Sequence, residues 1–206
     1  KVNGFVHKGT AASIELFSVF AAARGMTIIP TVDSLKFNDD TLAVYDAIAF
    51  INTNYRNGRL INDDQEDAFE RYIRNGGGFV GVHSAVPLDG VWEETVWPWY
   101  AGLFGARFKS HPPFQLGEMI IEDTAHISTR KVNPVIALED EWYQLQDSPR
   151  SKVNILAVQN GASMNPSWDG EDHPVSWYRQ FDGGRSWVTL AGHDERDGHD
   201  TYLDRH

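Results

Sequence analysis

A chain of 206 residues with 41% hydrophobic and 12% aromatic content holds enough apolar material for one substantial core, and a single α/β domain over residues 1–206 is expected. Its 18 basic and 29 acidic residues leave a formal charge of -11, which repels phosphate backbones and anionic headgroups, so neither nucleic acid nor a membrane surface is expected as a partner. Cysteine is absent, which removes disulfides, thiolate metal sites and any thiol nucleophile.

Val2-Asn3-Gly4-Phe5-Val6 predicts a short strand, and Thr10 caps a helix with Ile14, Leu16, Phe17, Phe20 and Ala21 on one face, ending at Gly25. The β-branched run Thr27-Ile28-Ile29-Pro30-Thr31-Val32 predicts a strand. So does Ala47-Ile48-Ala49-Phe50-Ile51, apolar throughout as a strand covered on both faces would be. Asn62-Asp63-Asp64 supplies a cap and acidic first turn for a helix through Phe69, Tyr72 and Ile73, which stops at Gly76-Gly77-Gly78 and leads into the strand Phe79-Val80-Gly81-Val82. Alternating strands and helices imply right-handed crossovers and a doubly wound, mostly parallel, flavodoxin-like sheet. Beyond, Trp97-Pro98-Trp99-Tyr100 into Leu103-Phe104 predicts a short helix. Strands are expected over residues 119–121, 153–158, 175–179 and 186–190, the last two joined by Asp182-Gly183-Gly184 as a C-terminal antiparallel hairpin. No apolar run approaches the ~20 residues of a spanning helix, and no basic-then-apolar signal opens the chain, so a soluble protein is expected.

In an open parallel sheet, ligands bind beyond the carboxyl ends of the strands. His7, Asn52, His83 and His193 each follow a predicted strand and are expected to line one crevice there. Gly81-Val82-His83-Ser84-Ala85 has the Gly-x-residue-x-small form of a nucleophile elbow, with His83 at an exposed tip and Ser84 one residue off it. Removing the His83 imidazole should then cost function but not fold. Glu141, between Asp140 and Trp142, has a like charge and an apolar neighbour that would raise its pKa and suit it to acid or base work. His111, before Pro112 and Pro113, can reach the site from a loop. Trp99 and Trp142 sit where an aromatic face could stack on a pyranose. His126, His199 and His206 read as surface residues.

The pieces Gly4-Phe5-Val6-His7, Tyr45-Asp46-Ala47-Ile48-Ala49-Phe50, the glycine run into Gly81-Val82-His83, Phe108-Lys109-Ser110-His111-Pro112, Asp140-Glu141-Trp142-Tyr143, His173-Pro174-Val175-Ser176-Trp177 and Gly192-His193, in this order, resemble the ThuA-like (trehalose utilisation) family. The resemblance implies a class I glutamine amidotransferase-like fold without its cysteine, and a role in catabolism of trehalose, other sugars or keto-sugars. Val6 stands where that family often carries Arg, and the chain ends at His206, ahead of the closing segment such domains usually have.

Two readings of the function follow. The first is a carbohydrate-processing enzyme of the hydrolase, lyase or isomerase type, with His83, Glu141 and His193 catalytic and His7, Asn52, His111, Trp99 and Trp142 binding substrate. The histidines then either transfer protons, or His7, His83 and His193 hold a divalent metal such as zinc; no fixed zinc spacing decides between these. The second is a non-catalytic carbohydrate-binding or interaction domain. A glutamine amidotransferase is excluded for want of a thiol. Compartment, cytoplasmic or exported after removal of a signal, and assembly into a homo-oligomer are left open.

Overall fold

The computed structural model describes residues 4–55, 59–89, 91 and 97–193; Val2 and Asn3 of the first expected strand, His199 and His206 lie outside them. In chain order the elements are helix α1 (Gly9–Ala22), helix α2 (Asp39–Leu42), strand β1 (Ala47–Ile51), helix α3 (Asp63–Arg74), β2 (Gly78–Val82), helix α4 (Pro98–Phe104), β3 (Phe108–Ser110), β4 (Gln115–Ile121), β5 (Val135–Asp140), β6 (Gln144–Leu145), β7 (Asn154–Gln159), β8 (Pro174–Phe181) and β9 (Gly184–Thr189). Among the described residues, no helix is long and apolar enough to cross a membrane.

One seven-stranded mixed sheet runs in the order β1-β2-β9-β8-β7-β4-β5, and β3 pairs with β6 in a separate ribbon. β1, β2 and β9 are parallel; the remaining neighbours are antiparallel, including the expected closing hairpin β8–β9. With these directions, β1, β2, β9, β7 and β5 all point their carboxyl ends to the same edge. Ile51, Val82 and Thr189 lie side by side in the ladder. The next residue of each strand, Asn52, His83 and Leu190, therefore leaves the sheet at one level.

Local chemistry explains most of the elements. Asn62 and Gln65 form a reciprocal capping box, with bonds of 3.0 Å each way, that opens α3. Pro98 occupies the first turn of α4, where its missing N–H costs nothing, and Gly105 ends that helix at φ +96°. Phe69 of α3 and Tyr100 and Phe104 of α4 pack on Phe79 of β2, and Phe50 of β1 joins Phe69, Phe79 and Tyr100, an aromatic core over the parallel strands.

Four expectations are corrected. The run Thr27–Val32 forms no strand; Ile28, Ile29 and Val32 are exposed, because β-branched residues favour extended backbone but a strand also needs a neighbour to pair with. Gly4–Val6 likewise has no ladder, and α1 begins at Gly9, with Thr10 inside it bonding back to the His7 carbonyl at 2.9 Å. β1 is covered on one side only, Phe50 being buried while Ala47 and Ala49 are exposed.

Gly81 is the tightest point under the site. A Cβ there would stand 2.7 Å from the Phe104 ring, 3.1 Å from Phe79 and 3.1 Å from Val188. Phe104 is fully buried and has no room to yield. Gly81→Ala is expected to cost ~1–3 kcal/mol by overpacking, read as a lowered urea midpoint at unchanged slope; a midpoint equal to the parent's would show that the aromatic core adjusts freely.

Candidate functional site

His83 follows β2 at φ +50°, in the left-handed region, and opens a single 3-10 turn. The sharp elbow backbone is therefore present, held by small neighbours on either side. The imidazole, however, is 0% exposed, not displayed at a tip. Its Nδ1 lies 2.6 Å from the Leu190 carbonyl, which can only accept, so Nδ1 carries the hydrogen and Nε2 presents a lone pair. That Nε2 stands 2.9 Å from the Tyr143 hydroxyl, 3.3 Å from His193 Nδ1 and 3.6 Å from Glu141 Oε2.

Two further histidines meet it. The His7, His83 and His193 ring centroids are 4.9, 5.0 and 5.3 Å apart in edge-to-face arrangement. His7 Nδ1 is 3.1 Å from Ser84 Oγ, and the loop carrying His7 is tied down by the Asn54 amide, which donates to the Phe5 carbonyl at 2.6 Å. His193 Nδ1 lies 3.0 Å from Glu141 Oε2, and His111 Nδ1 is 3.7 Å from the other Glu141 oxygen. One ligand-type atom from each of His7, His83, Glu141 and His193 lies within 4.8 Å of every other, so these four side chains could together hold a cation.

Glu141 arrives from the far edge of the sheet. β5 is four strands from β9, about 19 Å on a flat sheet at ~4.8 Å per strand, so the sheet must curl to close the gap. The join is made by Asp140. Its buried Oδ1 accepts from the amides of Glu141 at 2.7 Å and His193 at 3.2 Å, and its Oδ2 from Gly192 at 2.8 Å. One carboxylate thus fixes the backbones that carry two of the four converging side chains. Burial raises the Asp140 pKa, against the pull of His83 and the three amides.

Beside this cluster lies a cavity of about 270 Å³ lined by Phe5, His7, Asn54, Ser84, Leu88, Phe108, His111, Glu141 and Tyr143. His7, Glu141 and His111 face it, while His83 and His193 meet them from behind. Asn52, fully buried at φ +51°, does not reach the cavity; its amide donates to the Gly192 carbonyl and its backbone N–H to Val82, tying together three strand ends. Trp142 is buried, donates to the Gln115 carbonyl at 3.1 Å and packs on Gly117. Trp99 donates to Asp182 at 2.7 Å in the β8–β9 turn, at the opposite end of β9 from the cluster. Neither tryptophan is brought to the cavity. Tyr143 and Asn54 adjoin the cluster without having been singled out, as do Ser84 and Asp140, which the sequence marked only as neighbours of His83 and Glu141.

The electrostatics invert one expectation. Burial alone would raise the Glu141 pKa, but the adjacent His193 and His83 imidazoles, and His111 beyond them, outweigh it and hold the carboxyl well below its usual range. The neighbouring Asp140 side chain is turned toward backbone amides. Tyr143 goes the other way: burial, then the Glu141 and Asp140 charges, push its hydroxyl well above 10.0. His7 is lowered to about 3, first by burial and then by the repulsion that a proton on it would meet from protons on the adjoining His83 and His193 rings.

This makes the site a source of acid lability. Between the ordinary histidine value of 6.5 and about 3, an unfolded chain binds a proton at His7 that the folded chain refuses, so stability is complete above pH 6.5 and falls on acidification through that window. With a chelator present, so that no cation competes with the proton, the urea midpoint is expected to fall from pH 7.5 to pH 4.5. His7→Gln should flatten the slope, and an unchanged slope in that variant would remove His7 as its source.

The family model ThuA, described as trehalose utilisation, matches residues 1–206. A solved ThuA-like protein from Bacteroides uniformis is similar with a TM-score of 0.75 and 23% identity, covering 95% of this chain and 82% of that one. One from Parabacteroides merdae is similar with a TM-score of 0.72 and 16% identity, covering 99% and 85%. A cytoplasmic protein from Salmonella typhimurium LT2 follows at 0.60 and 12%, covering 97% and 82%. At such identities the likeness concerns the fold. No curated protein matches the chain.

Proposed function

This chain belongs to the ThuA family, whose function relates to trehalose utilisation, and from that premise we propose that it is a carbohydrate-processing enzyme acting on a sugar or keto-sugar in the cavity beside Glu141. The observation that carries the proposal is the convergence of His7, His83, Glu141 and His193, from four separate stretches of sequence, to within 4.8 Å of one another. Such a gathering of titratable groups is costly to build and has no packing advantage.

The cavity suits the substrate class. Ligand pockets for drug-sized molecules run about 300–1,000 Å³, and 270 Å³ accommodates one sugar ring with any second ring left toward solvent. Phe5 and Phe108 offer apolar faces to the ring's C–H surface, and Ser84, His111, Glu141 and Tyr143 offer polar groups to its hydroxyls. The opposite displacement of two pKa values assigns roles. Glu141 is kept as a carboxylate, able to hold positive charge, and Tyr143 is kept as a phenol, whose hydrogen, given to His83 in the free site, can turn to a substrate oxygen that gains charge.

A binding module reads the same family differently, and it would present a flat row of exposed tryptophans. Among the described residues no tryptophan lines the cavity. Incubating purified protein with trehalose, other disaccharides and their 3-keto derivatives, with chromatographic detection of products, tests the choice. Conversion of at least one sugar is expected; calorimetric binding of a sugar without conversion of any would establish the binding module instead.

A further inference from the structure

We propose that His7, His83, His193 and Glu141 form a binding site for one divalent transition cation of the zinc class, at the wall of the cavity. The donor chemistry is the first argument. Imidazole nitrogens with a single carboxylate are a set suited to zinc and its first-row neighbours, not to calcium or magnesium, which need mostly oxygen.

Geometry is the second. Around a tetrahedral ion with bonds of about 2.05 Å, neighbouring ligand atoms stand about 3.3 Å apart. Here His83 Nε2, His193 Nδ1 and Glu141 Oε2 form a triangle with edges of 3.3, 3.0 and 3.6 Å. An ion seats over that triangle with little movement. His7 has Nδ1 engaged by Ser84, which leaves Nε2 to approach as a further ligand, and the cavity side is left for an oxygen of water or substrate.

The supporting groups are the third. Metal-bound imidazoles are oriented by what their other nitrogen holds. His83 Nδ1 donates to Leu190 at 2.6 Å, which leaves Nε2 unprotonated; its lone pair accepts from the Tyr143 hydroxyl at 2.9 Å, a bond the ion would replace. Asp140 locks the Glu141 and His193 backbones together and lies 4.0 Å from His83 Nδ1. Glu141 thus faces the charge a divalent ion would bring, and Asp140 lies behind the His83 ring and the two loops it joins. The ion would polarise a carbonyl or hydroxyl oxygen of the substrate, a role that rests on the carbohydrate reading above; the binding site itself does not.

The test uses the full chain without an affinity tag. After chelation and buffer exchange, Zn(II) is titrated by calorimetry and Co(II) is followed by its visible absorption. One equivalent per chain is expected, with a raised melting temperature and visible Co(II) bands of a four- to five-coordinate site, stronger than those of the hydrated ion. His193→Ala and Glu141→Gln, both at partly exposed positions and checked for folding by circular dichroism, should weaken Zn(II) by at least ~10²-fold. Zinc at well under one equivalent, or binding that both folded variants retain unchanged, would overturn the site and reduce the four residues to a hydrogen-bonded cluster. Stoichiometric zinc with no sugar converted would support the site while refuting the enzyme reading, and sugar conversion by protein that takes up no zinc would do the reverse.

Discussion

Replacing His83 with alanine is expected to lower turnover of the converted sugar by at least ~10²-fold, the usual scale for losing a positioned acid, base or ligand. The same change should cost ~1–3 kcal/mol of stability, because it strands buried polar partners. Those partners are specific. The Leu190 carbonyl loses its 2.6 Å donor and the Tyr143 hydroxyl loses its 2.9 Å acceptor, both in a pocket with no exposure at His83. The exposed tip expected from the elbow motif would have made the substitution nearly neutral for folding, so the burial changes the expected result. Turnover should be measured per folded molecule, alongside the urea midpoint. A lowered midpoint with undiminished turnover per folded molecule would make His83 a packing residue and would remove the centre from the site.

The parallel half of the fold was legible because its strands are short apolar runs bracketed by turn residues. Asn52, His83 and the loop to His193 fall beyond the strand ends simply by chain position. Glu141 and Tyr143 were harder, for their place depends on a sheet that curls across four antiparallel steps, and no local signal encodes that closure. Even so, parity in an extended stretch puts Glu141 and Tyr143 on one side and Asp140 and Trp142 on the other. Assigning both Glu141 and Trp142 to the ligand conflicted with that rule, and the burial of Trp142 under Gly117 shows which side won. Trp99 was misplaced for a different reason. Its loop-like neighbours Pro98 and Trp97 begin a helix that pairs it with Asp182 at the far end of β9. Thr27–Val32 failed because propensity describes a residue's preference, whereas a strand is a contract between two segments.

Asp140→Asn is the sharpest test of whether the site is assembled by that curled sheet. Both carboxylate oxygens of Asp140 accept backbone N–H bonds, Oδ1 from Glu141 and His193 and Oδ2 from Gly192. An asparagine has one oxygen and one donor NH₂, so either flip sets a donor against a donor in a buried place. The expected cost in stability is again ~1–3 kcal/mol, from the unpaired amide. Asp140 does not line the cavity, so its effect on chemistry must pass through the residues it positions. Loosening the Gly192–His193 loop moves His193 off Glu141, and turnover should fall by ~10–100-fold, the range seen when a supporting group behind a ligand is lost. The fall should appear in kcat with KM for the sugar little changed, since the lining residues Phe5, Ser84, His111 and Tyr143 stay in place. Zinc affinity should drop in parallel, while Gly81→Ala, which strains the core without touching Asp140, should leave zinc affinity per folded molecule intact. If Asp140→Asn loses stability yet keeps full kcat and zinc affinity, the bond between the two sheet ends serves only the fold, and the placement of His193 beside Glu141 does not depend on it.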